Sequence, residues 1–163
     1  MLADRDKKGF KKINHCNFKD YLTPLILLCL STGLRPKYAL KLKWSHINFN
    51  NKKVIIKGGY GKIKSDKYSD LTDEAILVLK EWKKHVIHQK SQNNWVFPSP
   101  KTPKTHLTTY KTAFTTFRNE YRLESFVMYD TRHTFATYYT ATYKNIDTTQ
   151  AALHHKCHPT KAN

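Results

Sequence analysis

Apolar and polar positions along this 163-residue chain change period several times, and each change marks an element. From about Phe18 to Ser31 the pattern is helical and dense in leucine and isoleucine, which predicts a helix that is mostly core. Pro24 lies in its early part, so the helix can begin there, where proline is tolerated. Gly33 is a natural residue to end it, because glycine accepts the left-handed conformation without penalty. Pro36 suits the first turn of a new short helix, Pro36 to Lys43, closed by Trp44. Arg35 is thereby pinned in a tight helix–helix corner, a setting that aims a long side chain reproducibly.

Residues 46–71 read differently. Lys53-Val54-Ile55-Ile56-Lys57 is a β-branched strand, Gly58-Gly59-Tyr60-Gly61 breaks it, and Lys67 to Leu71 returns as its partner. The result is a small antiparallel sheet with a lysine-rich turn. Thr72 caps the next helix, with Asp73 and Glu74 favouring its dipole and Ile76, Leu79, Trp82 and Val86 as the buried stripe. Asn94 to Ser99 is a short extended stretch. A helix from about Leu107 to Arg122 spaces Tyr110, Phe114, Phe117 and Tyr121 helically, with Lys111 and Arg118 on the opposite faces. Another runs from Thr131 to about Tyr143, followed by a turn at Asn145-Ile146-Asp147 and a last short helix from Thr148 to His154. The fold class is mainly α with a small antiparallel β-sheet (α+β). Residues 1–16, polar and basic, form a linker or basic arm, and residues 17–163 form the domain.

Charge narrows the partner. Lysine and arginine number 29 against 12 acidic residues, a formal net charge of +17. That surplus exceeds what solubility requires and points to an anionic polymer, although an abundant basic structural protein has the same signature. No membrane role is expected, because the longest apolar run, Leu25 to Leu30, is far too short to span a bilayer. Cys16, Cys29 and Cys157 are odd in number and widely spaced, which fits a reducing interior rather than a disulfide framework. His154, His155, Cys157 and His158 lie close together, but no upstream pair matches them, so no metal site is expected.

Candidate chemistry centres on two arginines at element boundaries, Arg35 in Thr32-Gly33-Leu34-Arg35 and Arg132 in Tyr129-Asp130-Thr131-Arg132-His133-Thr134-Phe135. A permanently charged guanidinium binds two oxygens at once and suits the non-bridging oxygens of a phosphodiester. Either arginine taken singly reads equally well as a surface residue. Their contexts taken together resemble the catalytic domain of the tyrosine recombinase (phage integrase) family. Leu28 to Phe49 is similar to that family's first arginine box, and Thr131 to Thr137 to its second. Leu153-His154-His155-Lys156 after the 145–147 turn is similar to its third box, and Lys53 to Leu79 to the segment between. The resemblance spans roughly residues 17 to 163.

The resemblance implies site-specific DNA recombination, the integration or excision of a mobile element. Strand cleavage and rejoining pass through a 3′-phosphotyrosyl intermediate, with no metal or cofactor. It assigns Arg35 and Arg132 to the transition state, His155 to a further hydrogen bond, and Lys62 or else Lys64 to protonation of the leaving 5′-oxygen. Three positions depart from the family pattern. Tyr38 stands where an acidic residue supports the first arginine, and His154 stands where the third box has glycine. Tyr129 stands where the family has histidine; its hydroxyl can still donate to phosphate but cannot shuttle protons near neutral pH. The family's nucleophile follows the third-box histidine by about nine positions. Counting from His155 lands beyond Asn163, and no tyrosine follows Tyr143, so this chain is expected to bind DNA without cleaving it. Tyr138, Tyr139 and Tyr143 read as packing residues.

Further DNA contacts are expected from a basic ridge, Lys52, Lys53, Lys57, Lys62, Lys64 and Lys67, and from Thr105, His106, Thr108 and Lys111 at the start of a helix. Each lysine taken alone reads as well as a solvated charge. The family resemblance further implies double-stranded DNA as partner and a tetramer on DNA for the full-length protein. It also implies accessory DNA-bending or directionality factors, and a cytoplasmic, nucleoid-associated setting in a bacterial or phage host. A monomer is expected for this fragment, which lacks an N-terminal core-binding domain. The competing reading is a non-enzymatic DNA-binding protein or a degenerate recombinase remnant in which the arginines only position the duplex.

Overall fold

The computed structural model describes Phe18 and residues 20–58, 65–88, 94–102, 104–143, 149 and 153. Helix α1 (Leu22–Thr32) lies at its centre, packed against both α3 (Asp73–His88) and α5 (Asp130–Tyr143). Its composition explains that position. Leu22, Pro24, Leu25, Ile26, Leu28, Cys29 and Thr32 are all buried, so its apolar surface is too wide for a helix with one solvated side. The helix begins at Leu22 rather than Phe18, where Asp20 Oδ1 accepts the Leu22 N–H at 2.8 Å. Pro24 is in the first turn, whose N–H groups have no partner within the helix. Phe18 precedes the helix and meets the Trp82 ring edge-on, with centroids 6.0 Å apart.

Helix α2 is Pro36–Ala39, shorter than the expected run to Lys43. The chain leaves the helix to form extended contacts with a distant segment. Leu42 accepts the Val96 N–H at 2.9 Å, Trp44 donates to the Asn94 carbonyl at 2.7 Å, and Lys43 pairs with Trp95 as an isolated antiparallel bridge. A 3₁₀ turn at Trp44–His46 leads into strand β1 (Ile47–Asn48), which sequence periodicity did not reveal. β1 pairs antiparallel with β2 (Lys53–Ile56), and β2 with β3 (Lys67–Asp70), in the order β1-β2-β3. Val54 and Ile56 face the core, whereas Lys53 and Ile55 point the other way.

Thr72 Oγ1 accepts the Ala75 N–H at 3.2 Å and caps α3 as expected. Ile76, Leu79, Trp82 and Val86 are buried. Trp82 donates its indole N–H to the Val96 carbonyl at 2.7 Å, anchoring the 94–99 segment beside the fully buried Phe97. Helix α4 is Lys111–Glu120, four residues shorter at its start than expected, because Leu107 donates to the Phe97 carbonyl and His106 bridges Pro98. Arg118 is not on a free outer face. It is half-buried, donates from Nη1 to the Phe126 carbonyl at 3.2 Å, and lies over the Phe114 ring. Among the described residues no helix is long and apolar enough to cross a membrane.

Candidate nucleic-acid interface

The corner between α1 and α2 forms as its glycine and proline predict. Gly33 ends α1 at φ 63° and donates its N–H to the Cys29 carbonyl at 2.9 Å. Arg35 follows in extended conformation, and its carbonyl accepts the Tyr38 and Ala39 N–H groups that open α2. A residue other than glycine at 33 would also collide with the neighbouring helix. A Cβ there would sit 2.4 Å from Phe135 Cδ1 and 2.9 Å from a Leu153 methyl. The corner is thus held tightly against α5 and against Leu153.

Arg132 sits in the first turn of α5 at that crossing. Its side chain is buried, with 4% of the residue exposed, and its donors are directed to the chain around it. Nη1 donates to the Gly33 carbonyl and Nη2 to the Leu153 carbonyl. One guanidinium therefore joins three segments that lie far apart in sequence: the first arginine corner, the second box and the start of the third. Arginine suits this task because its fixed fork offers five donors, enough to serve both carbonyls and to hydrogen-bond Tyr129. Burial lowers the Arg132 pKa, the Arg35 charge lowers it further, and the neighbouring Tyr129 opposes both. The side chain stays charged. Two cations thus stand within electrostatic reach of one another, and among the described residues no carboxylate pairs with either.

Around this pair, Tyr129 is 43% exposed and its ring meets the His133 ring edge-on at 5.0 Å. Asp130 opens α5, and its Oδ2 accepts the Val127 N–H at 2.8 Å. Tyr38 is buried, so the residue at the family's acidic position contributes to packing. Tyr139 tilts against Phe135, and Tyr138 is exposed at 76%. Lys62, Lys64 and His155 lie outside the described residues, as does the 144–154 segment apart from Thr149 and Leu153, which share a Leu153 N–H to Thr149 carbonyl bond of 3.0 Å.

The sheet gives the basic ridge a different electrostatic character. Lys53 and Asp70 are register partners across β2 and β3, and their side chains meet at 3.0 Å. Lys57 pairs with Asp66 and Lys52 with Asp73, each at 2.7 Å. Asp66 also accepts the Gly58 N–H at 2.9 Å, so hydrogen bonds hold its carboxyl below the ordinary range and raise the Lys57 ammonium. Lys67 is exposed on β3. Thr105, His106 and Thr108 precede α4, and Lys111 is its first residue. His106 is half-buried, its ring edge-on to Trp95 at 5.1 Å. Sequence reading missed the carbonyls of Gly33 and Leu153 as Arg132 partners; main-chain acceptors leave no mark in residue type.

The Tn1549 transposon integrase, solved in complex with circular intermediate DNA, superposes with a TM-score of 0.62 at 17% identity, covering 82% of this chain and 50% of that one. XerA recombinase gives a TM-score of 0.64 at 18% identity over 83% of this chain and 52% of its own. XerH site-specific recombinase, bound to a palindromic difH substrate, gives 0.65 at 24% identity over 82% of this chain and 38% of its own. The chain thus spans about half the length of these recombinases or less. No curated protein matches it in sequence. The likenesses establish the fold, and the profile of the phage integrase family matches residues 10–160, so the chain belongs to that family.

Proposed function

We propose that residues 17–163 form the catalytic domain of a site-specific recombinase that grips a DNA phosphodiester between Arg35 and Arg132, with residues 1–16 as a basic linker. The observation that carries this reading is the arginine pair itself. Two guanidinium groups within electrostatic reach of one another, without a carboxylate partner among the described residues, form a positive pole that an oxyanion satisfies. Because Arg132 is fixed by two carbonyls, its remaining donors need no reorganisation when charge develops on a phosphorane-like oxygen. Tyr129 offers a hydroxyl at the rim. Lys62, or else Lys64, donates the proton to the departing 5′-oxygen, and His155 adds a hydrogen bond to phosphate. The nucleophile of this reading is the family's tyrosine, about nine positions after the third-box histidine and therefore not within residues 1–163, and duplex DNA is the partner. Full-length copies act as a tetramer on DNA, whereas the 163-residue chain alone is a monomer.

A suicide duplex with a nicked scissile strand tests the reading on a chain extended past Asn163. A covalent protein–DNA adduct is expected, abolished by Arg132→Lys or Arg35→Ala in variants that still melt cooperatively. Residues 1–163 alone are expected to bind the duplex without forming an adduct. DNA binding that never yields an adduct, and that ignores both arginines, overturns catalysis and leaves a DNA-binding protein.

A further inference from the structure

Lys52, Lys53 and Lys57 of the basic ridge are paired with aspartates, and this directs attention to a lysine elsewhere that is not. Lys43 pairs with Trp95 in the antiparallel bridge that joins the end of the first arginine box to the 94–99 segment. Its ammonium lies over the Trp95 ring, 4.8 Å from the centroid. Below it the platform is braced on several sides. The Trp95 indole N–H donates to the Lys104 carbonyl at 3.1 Å, the His106 ring meets Trp95 edge-on at 5.1 Å, and Asn94 Nδ2 donates to Ser45 Oγ at 3.0 Å. The Lys43 main-chain N–H donates to His46 Nδ1 at 3.3 Å, which fixes the backbone beneath the side chain.

Carboxylates are sparse in the chain that forms this platform. The two stretches that meet at the bridge, residues 21–65 and 82–119, contain no aspartate or glutamate. Asp66, whose charge reaches His46, already accepts from Lys57 and Gly58. Among the described residues Lys43 has no carboxylate partner. A lysine on a tryptophan face keeps its charge, because the ring attracts it without neutralising it, and has already given up much of its rotamer freedom. Those two properties favour an ammonium that meets a phosphate over one that serves as a structural pair.

We propose that Lys43, seated on Trp95 beside His106, is a preorganised contact to a backbone phosphate of duplex DNA, stronger than the aspartate-paired lysines of the sheet. The proposal rests on the DNA-binding reading above and adds a residue which that reading did not assign. A lysine that meets a phosphate releases condensed counterions, so removing one such lysine flattens the plot of log affinity against log salt by about 0.9.

The test is the salt dependence of binding by the 163-residue chain to a fluorescein-labelled duplex of random sequence. Lys43→Ala is expected to flatten the slope by about 0.9, and Lys53→Ala, whose ammonium is paired with Asp70, by clearly less. Trp95→Leu is expected to weaken binding with the slope nearly kept, and Trp95→Phe to restore it, because the ring positions the charge without supplying it. A slope unchanged in Lys43→Ala, or a flattening no larger than in Lys53→Ala, overturns the proposal and leaves DNA binding standing. Absence of salt-dependent binding by the unmutated chain overturns both.

Discussion

Two regions of this molecule handle positive charge in opposite ways. At the crossing of α1 and α5, Arg132 is buried, bonded to two main-chain carbonyls and within electrostatic reach of a second arginine. On the sheet, Lys52, Lys53 and Lys57 are exposed and paired with Asp73, Asp70 and Asp66. Carbonyl oxygens stabilise a cation through their dipoles but leave its net charge in place, whereas an aspartate cancels it. The first region therefore keeps its net positive charge. The second ties Lys53 to the neighbouring strand, Lys57 to Asp66 just outside it and Lys52 to the start of α3, and exposed pairs of this kind add little to stability. Counting lysines by position ranks the sheet as the strongest electrostatic feature; their partners reverse that ranking.

Four experiments would break or sharpen this contrast. The largest effect is expected from Arg132→Ala, which strands the Gly33 and Leu153 carbonyls and removes two charge-assisted bonds; a loss of about 3 kcal/mol is expected in urea unfolding. Arg132→Lys, which keeps a cation but not the fork, should recover part of that loss. Gly33→Ala comes next. The positive φ and the contact with Phe135 predict a loss of about 2 kcal/mol by the same measurement, and wild-type stability would show that α5 is not held closely against this corner.

Asp66→Asn should leave the midpoint almost unmoved but release Lys57, tightening binding to duplex DNA and steepening its salt slope by up to about 0.9. Weaker binding instead would mean that the pair itself faces the DNA. The smallest effect at neutral pH concerns Cys29, beneath the Gly33 cap, whose thiol burial pushes up to about 12 from an ordinary 9.0. Its folded value is raised, so the unfolded chain ionises first. The protonated thiol's contribution is complete below about pH 9 and is lost as pH rises toward 12. With Cys16 and Cys157 changed to serine, stability should decline over that window more steeply than in a Cys29→Ala variant, and the folded chain should resist thiol reagents at pH 8.

Much of the fold was legible in residue pattern. The dense apolar run of α1, the Gly33 end and Pro36 start around Arg35, the Thr72 cap and the buried stripe of α3 all follow from local chemistry. Errors arose where distant segments compete for the backbone. Residues 40–43 leave the helix because residues 94–96 supply other hydrogen-bond partners, and residues 107–110 stay out of α4 because Phe97 takes the Leu107 N–H. The two-residue strand β1 is too short to show alternation, and only its pairing with β2 defines it.

The candidate site divides along the same line. Sequence alone determined that Arg35 occupies a rigid corner and that Arg132 opens a helix, because glycine, proline and capping preferences act over a few residues. Family membership was equally legible, since the boxes are linear strings of residue types. Which acceptors hold Arg132, which lysines are paired with aspartates, and that Lys43 rests on Trp95 were decided only by the tertiary structure. Electrostatics acts through space with a reach of several ångströms. The partners that hold each cation lie 17 positions away for Lys53, 21 and 99 for Arg132, at separations that no local pattern encodes.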